Sequence, residues 1–98
     1  MSIWGDGVNY DNNAAIFKAL GDPTRLKILN MLTDQELCAC MILEEFDISQ
    51  PTLSHHMKIL CNTGLVRGIK KGKWTYYYLV QEKIKEFSFF FNEITLEK

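Results

Sequence analysis

The stretch DISQPTLSHHMKIL, residues 47–60, decides how the chain folds. Ser49 is an N-cap residue type, Pro51 falls in the first turn where a missing N–H costs nothing, and an apolar stripe of Leu53, Met57 and Leu60 follows at helical spacing. With that stripe turned to a core, the opposite face carries Gln50, Thr52, Ser54, His55 and Lys58. These are groove-facing types: short hydroxyls, an amide able to pair bidentately with adenine, and a cation for phosphate or guanine. Any solvated helix can carry polar residues, so the neighbouring segments have to decide. The adjacent His55 and His56 point about 100° apart on a helix. One metal ion therefore does not take both, and the expectation is His55 outward with His56 half-buried and hydrogen-bonded.

Immediately upstream, residues 38–46 place Ala39, Ile42 and Phe46 at helical spacing, and the turn containing Asp47, Ile48 and Ser49 joins two short helices. Residues 38–62 thus predict a helix-turn-helix. Further upstream, Asp22 caps a helix with Pro23 at its first position and Leu26, Leu29 and Leu32 on one side, with Ile28 beside them. Before it, Asp11 is expected to cap a helix over residues 11–21 that stops at Gly21. Downstream, Gly64 ends the recognition helix. Two β-rich runs follow, residues 65–69 and 74–80, joined by a turn containing Gly72. Residues 65–80 predict a hairpin wing, and residues 81–94 a last helix rich in Phe87, Phe89, Phe90, Phe91 and Ile94. The expected fold class is mainly α with a β-hairpin wing, a winged helix-turn-helix. All 98 residues are expected to form one DNA-binding domain.

Net charge is −1 and favours no anionic partner, but its distribution does. Residues 1–48 hold eight acids and three bases, whereas residues 49–80 hold Lys58, Arg67, Lys70, Lys71 and Lys73 with no acid at all. Arg67 and the three lysines of the hairpin lie beside the groove-facing helix, and together they predict contact with double-stranded DNA. No apolar run approaches the roughly 18 residues of a membrane span, and the polar N-terminus has no basic leader. A cytoplasmic protein without a membrane partner is expected. The chain carries no nucleophile–base constellation and no phosphate loop, so neither an enzyme nor a catalytic cofactor is expected.

Three cysteines form no disulfide framework. Cys38 and Cys40 stand one residue apart at a helix start, where thiolate is favoured and soft, thiophilic centres are preferred ligands. On an intact helix, positions i and i+2 point about 200° apart. One ion bound at both would require the first turn to unwind, disturbing the recognition helix that it supports. Cysteine as a small core hydrophobe is the plainer alternative. Cys61 is expected to be a free, exposed thiol.

The segments ALGDPTRLKILNML, ELCAC, SQPTLSHHMKIL and TGLVRGIKKGKWTYYYL, in this order between Ile16 and Leu79, resemble the ArsR/SmtB family of winged-helix metalloregulators, in its arsenic-responsive type. The resemblance implies a homodimeric repressor that binds a palindromic operator and leaves it when an inducer binds. It also implies a dimer interface on the first and last helices, over residues 11–21 and 81–94. Ile16, Phe17, Phe87, Phe90, Phe91 and Ile94 are the candidate interface residues. The first two thiols of the arsenic-responsive pattern ELCxCDLC fall on Cys38 and Cys40, its aspartate on Met41 and its third thiol on Leu43. The N-terminal cysteines of the cadmium-type site and the last-helix histidines of the zinc-type site have no counterpart. The resemblance therefore implies a trivalent arsenic or antimony species held by Cys38 and Cys40. A thiol-redox or persulfide-responsive repressor on the same fold is the alternative. A winged-helix interaction module without DNA binding is the alternative of another class.

Overall fold

Asn9, not Asp11, opens the first helix of the computed structural model, which describes residues 7–95. The Asn9 side chain accepts the Asn12 N–H at 2.9 Å, and Asp11 falls inside the first turn, where its carboxylate faces the positive end of the helix dipole. This helix, α1, spans Tyr10–Leu20 and ends at Gly21. Asp22 then accepts the Arg25 N–H at 3.0 Å and caps α2, Pro23–Met31, with Pro23 at its start. Residues 1–6 and 96–98 of the expected single domain lie outside the described residues.

The apolar face of α2 differs from the expected one. Leu26 is 51% exposed, while Ile28 and Leu32 are buried. Ile28 and Leu32 stand four apart and so share a face, which α2 turns towards α4.

A two-residue strand that the sequence pattern did not reveal, β1 (Leu37–Cys38), comes next. It is followed by α3 (Ala39–Glu44), α4 (Gln50–Asn62), β2 (Val66–Lys71), β3 (Trp74–Leu79) and α5 (Gln81–Thr95). The sheet order is β1-β3-β2, antiparallel throughout, with Leu37 opposite Tyr77, Cys38 opposite Tyr76 and Gly68 opposite Tyr77 on its other side. The wing is therefore two strands of a three-stranded sheet, with β3 in the middle and β1 and β2 at the edges, and its tight turn uses Gly72 at φ +65°. Gly68 has its own reason: a Cβ there would come within 2.9 Å of the Tyr77 ring, which lies across the bare backbone.

Ser49 caps α4 as expected, accepting the Thr52 N–H at 3.3 Å, and Leu53, Met57 and Leu60 are buried. At the far end the buried Thr63 hydroxyl donates to the Leu60 carbonyl at 2.6 Å and accepts the Leu65 N–H at 3.1 Å. Gly64 at φ +83° then turns the chain into β2. The core gathers Ile16, Ile28, Leu32, Ile42, Leu53, Met57, Leu60, Leu65 and Val66.

Ile16 is thus inside its own chain, 3% exposed, and is removed from the candidate interface. Phe87 is half-buried and edge-on to Phe17, with ring centroids 5.0 Å apart. Phe89, 69% exposed, and Ile94, 63% exposed, carry the most open apolar surface of α5. The whole is elongated, 50 × 25 × 22 Å. Among the described residues no helix is long and apolar enough to cross a membrane.

The two faces of α2 give a direct check. Ile28→Ala should cost about 2–5 kcal/mol, and Leu26→Ala should stay within about 0.5 kcal/mol. Urea unfolding with an unchanged slope measures both, and equal costs would contradict the burial of Ile28 alone.

Candidate nucleic-acid interface and thiol pair

Because Leu53, Met57 and Leu60 hold α4 to the core, Gln50, Thr52, Ser54, His55 and Lys58 are all left exposed on one side. The Thr52 hydroxyl is engaged, accepting from Ser49 Oγ at 2.9 Å. His56 turns inward, as expected. Its Nδ1 lies 2.9 Å from Arg25 Nη1, and because a guanidinium only donates, Nδ1 is the acceptor. Arg25 also donates from Nε to the Ala19 carbonyl. One side chain thus ties the α1–α2 corner to the recognition helix.

Arg67, Lys70, Lys71 and Lys73 are exposed on the wing, but they are not equivalent. Lys71 is paired with Glu36, just before β1, and lies 5.1 Å from the Tyr76 ring centroid. The Glu36 carboxylate pushes the Lys71 pKa up. Lys73 sits 5.8 Å over the Trp74 ring. Lys70 has no acidic partner among the described residues.

The expectation that Cys38 lies within a helix is corrected. Cys38 has extended backbone, φ −66° and ψ 145°, because it closes β1 and caps α3. Its Sγ accepts the Cys40 N–H at 3.4 Å. The 200° separation of i and i+2 on a helix therefore does not apply, and no turn has to unwind for the sulfurs to approach. The neighbouring Cys40 thiol, aided by the backbone N–H groups of Cys40 and Met41, holds the Cys38 thiol below its ordinary range against the effect of burial. The Cys38 side chain, with burial and the Cys38 charge, in turn pushes the Cys40 thiol up. Cys38 is 2% exposed, while Cys40 is half-buried and opens onto a cleft of about 240 Å³ between α3, α4 and the wing.

Cys61 is not the exposed thiol that was expected. It is half-buried against the core at the end of α4, near Tyr77, and burial pushes its pKa up. It does not line the cleft. Among the described residues, no three His, Cys, Asp or Glu side chains gather as a metal site. Two features escaped sequence reading: the Glu36–Lys71 pair and the seat of Cys38 in the wing sheet. A signal for the first was present, since Glu36 is an acid two residues before Cys38. A two-residue strand leaves no periodicity to read.

Comparison with known proteins places this geometry in context. The family described as bacterial regulatory protein, arsR family, matches residues 22–67, from the cap of α2 through α4 into β2. An HTH-type transcriptional regulator of Methanocaldococcus jannaschii is 47% identical over 78 residues, covering 79% of this chain and 88% of that protein. An arsenical resistance operon repressor of Staphylococcus xylosus is 49% identical over 75 residues, covering 76% of this chain and 72% of that protein. Among solved structures, an ArsR-like transcriptional regulator from Rhodococcus sp. RHA1 superposes with a TM-score of 0.75 at 26% identity. That match covers 88% of this chain and 81% of the other.

The influence of one thiol on the other is measurable. In a Cys61→Ser background, Cys40→Ala removes the thiol that lowers the Cys38 pKa most and keeps the Cys40 N–H. The ionisation of Cys38, followed by thiolate ultraviolet absorbance, should then move to higher pH. An unmoved titration would mean that the sulfurs do not interact.

Proposed function

The chain belongs to the arsR family of bacterial transcriptional regulators, and on that premise we propose that it is a homodimeric repressor released from its operator when a trivalent arsenic or antimony species bridges Cys38 and Cys40. Members of this family are DNA-binding regulators, not enzymes, which leaves the DNA-free interaction module without support. The exposed face of α4 enters the major groove in this reading, with Gln50, Ser54 and His55 at base edges and Thr52 and Lys58 at their margin. Arg67, Lys70, Lys71 and Lys73 approach the flanking phosphates.

The position of Cys38 carries the inducer assignment. It is at once the end of β1, paired with Tyr76 of the wing, and the cap of α3, which supports α4. A bond across the two sulfurs removes the Cys38 cap from the Cys40 N–H and pulls on both DNA-facing elements. Ligand and operator then favour different arrangements of the same joint, as negative linkage requires. The name of the Staphylococcus xylosus relative, an arsenical resistance operon repressor, supports arsenic as the trigger.

Dimerisation rests on the terminal helices. Tyr10, Phe17, Phe91 and Ile94 expose apolar surface along α1 and α5 beyond what their own chain covers. Phe17 and Phe91 rings lie 6.0 Å apart and Tyr10 and Phe90 rings 6.5 Å apart, so the two helices present one shared aromatic face.

Operator gel shifts test the inducer site. Cys38→Ser and Cys40→Ser should each keep operator affinity but raise the arsenite needed for release by more than about tenfold, since a single thiol loses the chelate. Cys61→Ser should respond as the native chain does. Ordinary release of the Cys38→Ser, Cys40→Ser double variant would remove the site from these residues.

Sedimentation tests the interface. Phe91→Asp places a charge in an apolar contact at a cost of several kcal/mol, which raises the dimer dissociation constant more than about a hundredfold. A native chain that sediments as a monomer at micromolar concentration would end the dimer reading.

A further inference from the structure

We propose that the cleft between α3, α4 and the wing is a subsite for the organic substituent of a monosubstituted trivalent arsenical, a proposal that rests on the assignment of Cys38 and Cys40 as the arsenic ligands. Trivalent arsenic forms three bonds, and two thiols satisfy two of them. The third valence has to point somewhere, and the geometry of the thiol pair decides where. Cys38 is sealed in the interior, whereas Cys40 opens onto the cleft. Leu43, one turn beyond Ala39 on α3, lines the cleft and offers no ligand atom to that third valence. The other walls include Leu53 and Met57 of α4 and Trp74 and Tyr77 of β3, which are apolar or aromatic.

The cleft volume of about 240 Å³ suits a ring. An apolar cavity of ~150 Å³ holds a benzene molecule. The bare backbone of Gly68 makes this wall possible, since it lets the Tyr77 ring lie across β2. The rim of the cleft bears Gln50 and Ser54 on α4 and Lys73 on the wing, which are candidate DNA contacts. A group seated there stands between the recognition helix and the wing, so filling the cleft acts on the two elements that the operator must find in register.

The binding step balances without a redox partner. An arsenical R–As(OH)2 and the two thiols give R–As(S–Cys38)(S–Cys40) and two waters. Two As–S bonds form, two As–O bonds break, each thiol proton leaves with a hydroxide as water, and arsenic stays trivalent.

Methylarsenite and phenylarsenite make the same two sulfur bonds and differ in what they place in the cleft. The probe is release of operator DNA by each, with binding followed separately through Trp74 fluorescence in a Trp4→Phe chain. For the native protein, phenylarsenite should act at a concentration at least about tenfold below that of methylarsenite, because the ring buries apolar surface. Thr75→Phe, which fills the cleft from β3 with a strand-compatible residue, should bring the ratio of the two towards one. Any effect of the substitution on the operator or the thiols is common to both inducers and cancels in that ratio. Should Thr75→Phe fail to fold, Leu43→Trp fills the same space from α3. A ratio near one in the native chain, or a ratio untouched by cleft filling, would overturn the subsite while leaving the thiol site intact. Release by both arsenicals from the Cys38→Ser, Cys40→Ser double variant would instead overturn the thiol site, and the subsite with it.

Discussion

The structure depends on one constraint: α4 must bury Leu53, Met57 and Leu60 in a chain with a small core. The three residues meet Ile28 and Leu32 from α2, Ile42 from α3 and Leu65 and Val66 at the start of the wing. Turning α4 about its axis would expose that stripe, at about 1.5–3 kcal/mol for each large apolar side chain. The orientation of the polar face is therefore set from inside. Gln50, Ser54 and His55 need no support of their own to stay outward. Thr63 extends the same constraint into the wing, because its buried hydroxyl closes α4 and receives the first N–H of the turn into β2.

What the sequence made legible follows from the strength of local signals. Ser49 with Pro51, Asp22 with Pro23, and the Leu53–Met57–Leu60 spacing are each short-range and chemically specific, and each element stands where they put it. Gly72 between two β-rich runs did the same for the hairpin. The failures are tertiary in origin. Asn9 and Asp11 are both cap residue types two positions apart, and local chemistry alone does not choose between them. Leu26 and Ile28 are equally apolar, and the position of α4 decided which one was covered. β1 exists because β3 offers it an edge, and that pairing took Cys38 out of the helix. The candidate site was legible as residue types; its geometry, with Cys38 in the sheet, its sulfur on the Cys40 N–H and Cys61 half-buried against the core, was not.

The thiol pair gains its interest from where it stands. A sulfur on the outer surface could be modified without consequence for the fold. Cys38 instead shares a two-residue strand with the wing and caps the first helix of the helix-turn-helix. It meets the wing through the pairing of β1 with β3 and meets the start of α3 through its sulfur. The Arg25 bridge to His56 shows the opposite arrangement, fastening α4 to the α1–α2 corner at a point away from the thiols.

The Glu36–Lys71 pair bears on ionic strength. A cation that meets a DNA phosphate displaces a condensed counterion, and each such contact adds about 0.9 to the steepness with which affinity falls as salt rises. In the proposed complex Lys70 and Lys73 would meet the duplex without a carboxylate at their side. Lys71 arrives with a protein carboxylate already at its side. To meet a phosphate it has to leave Glu36, and because salt weakens that surface pair too, part of its contribution to the salt dependence is offset. In that reading the wing binds with a weaker dependence on salt than its lysine count implies, and the carboxylate that Lys71 leaves stands beside the strand that ends in Cys38.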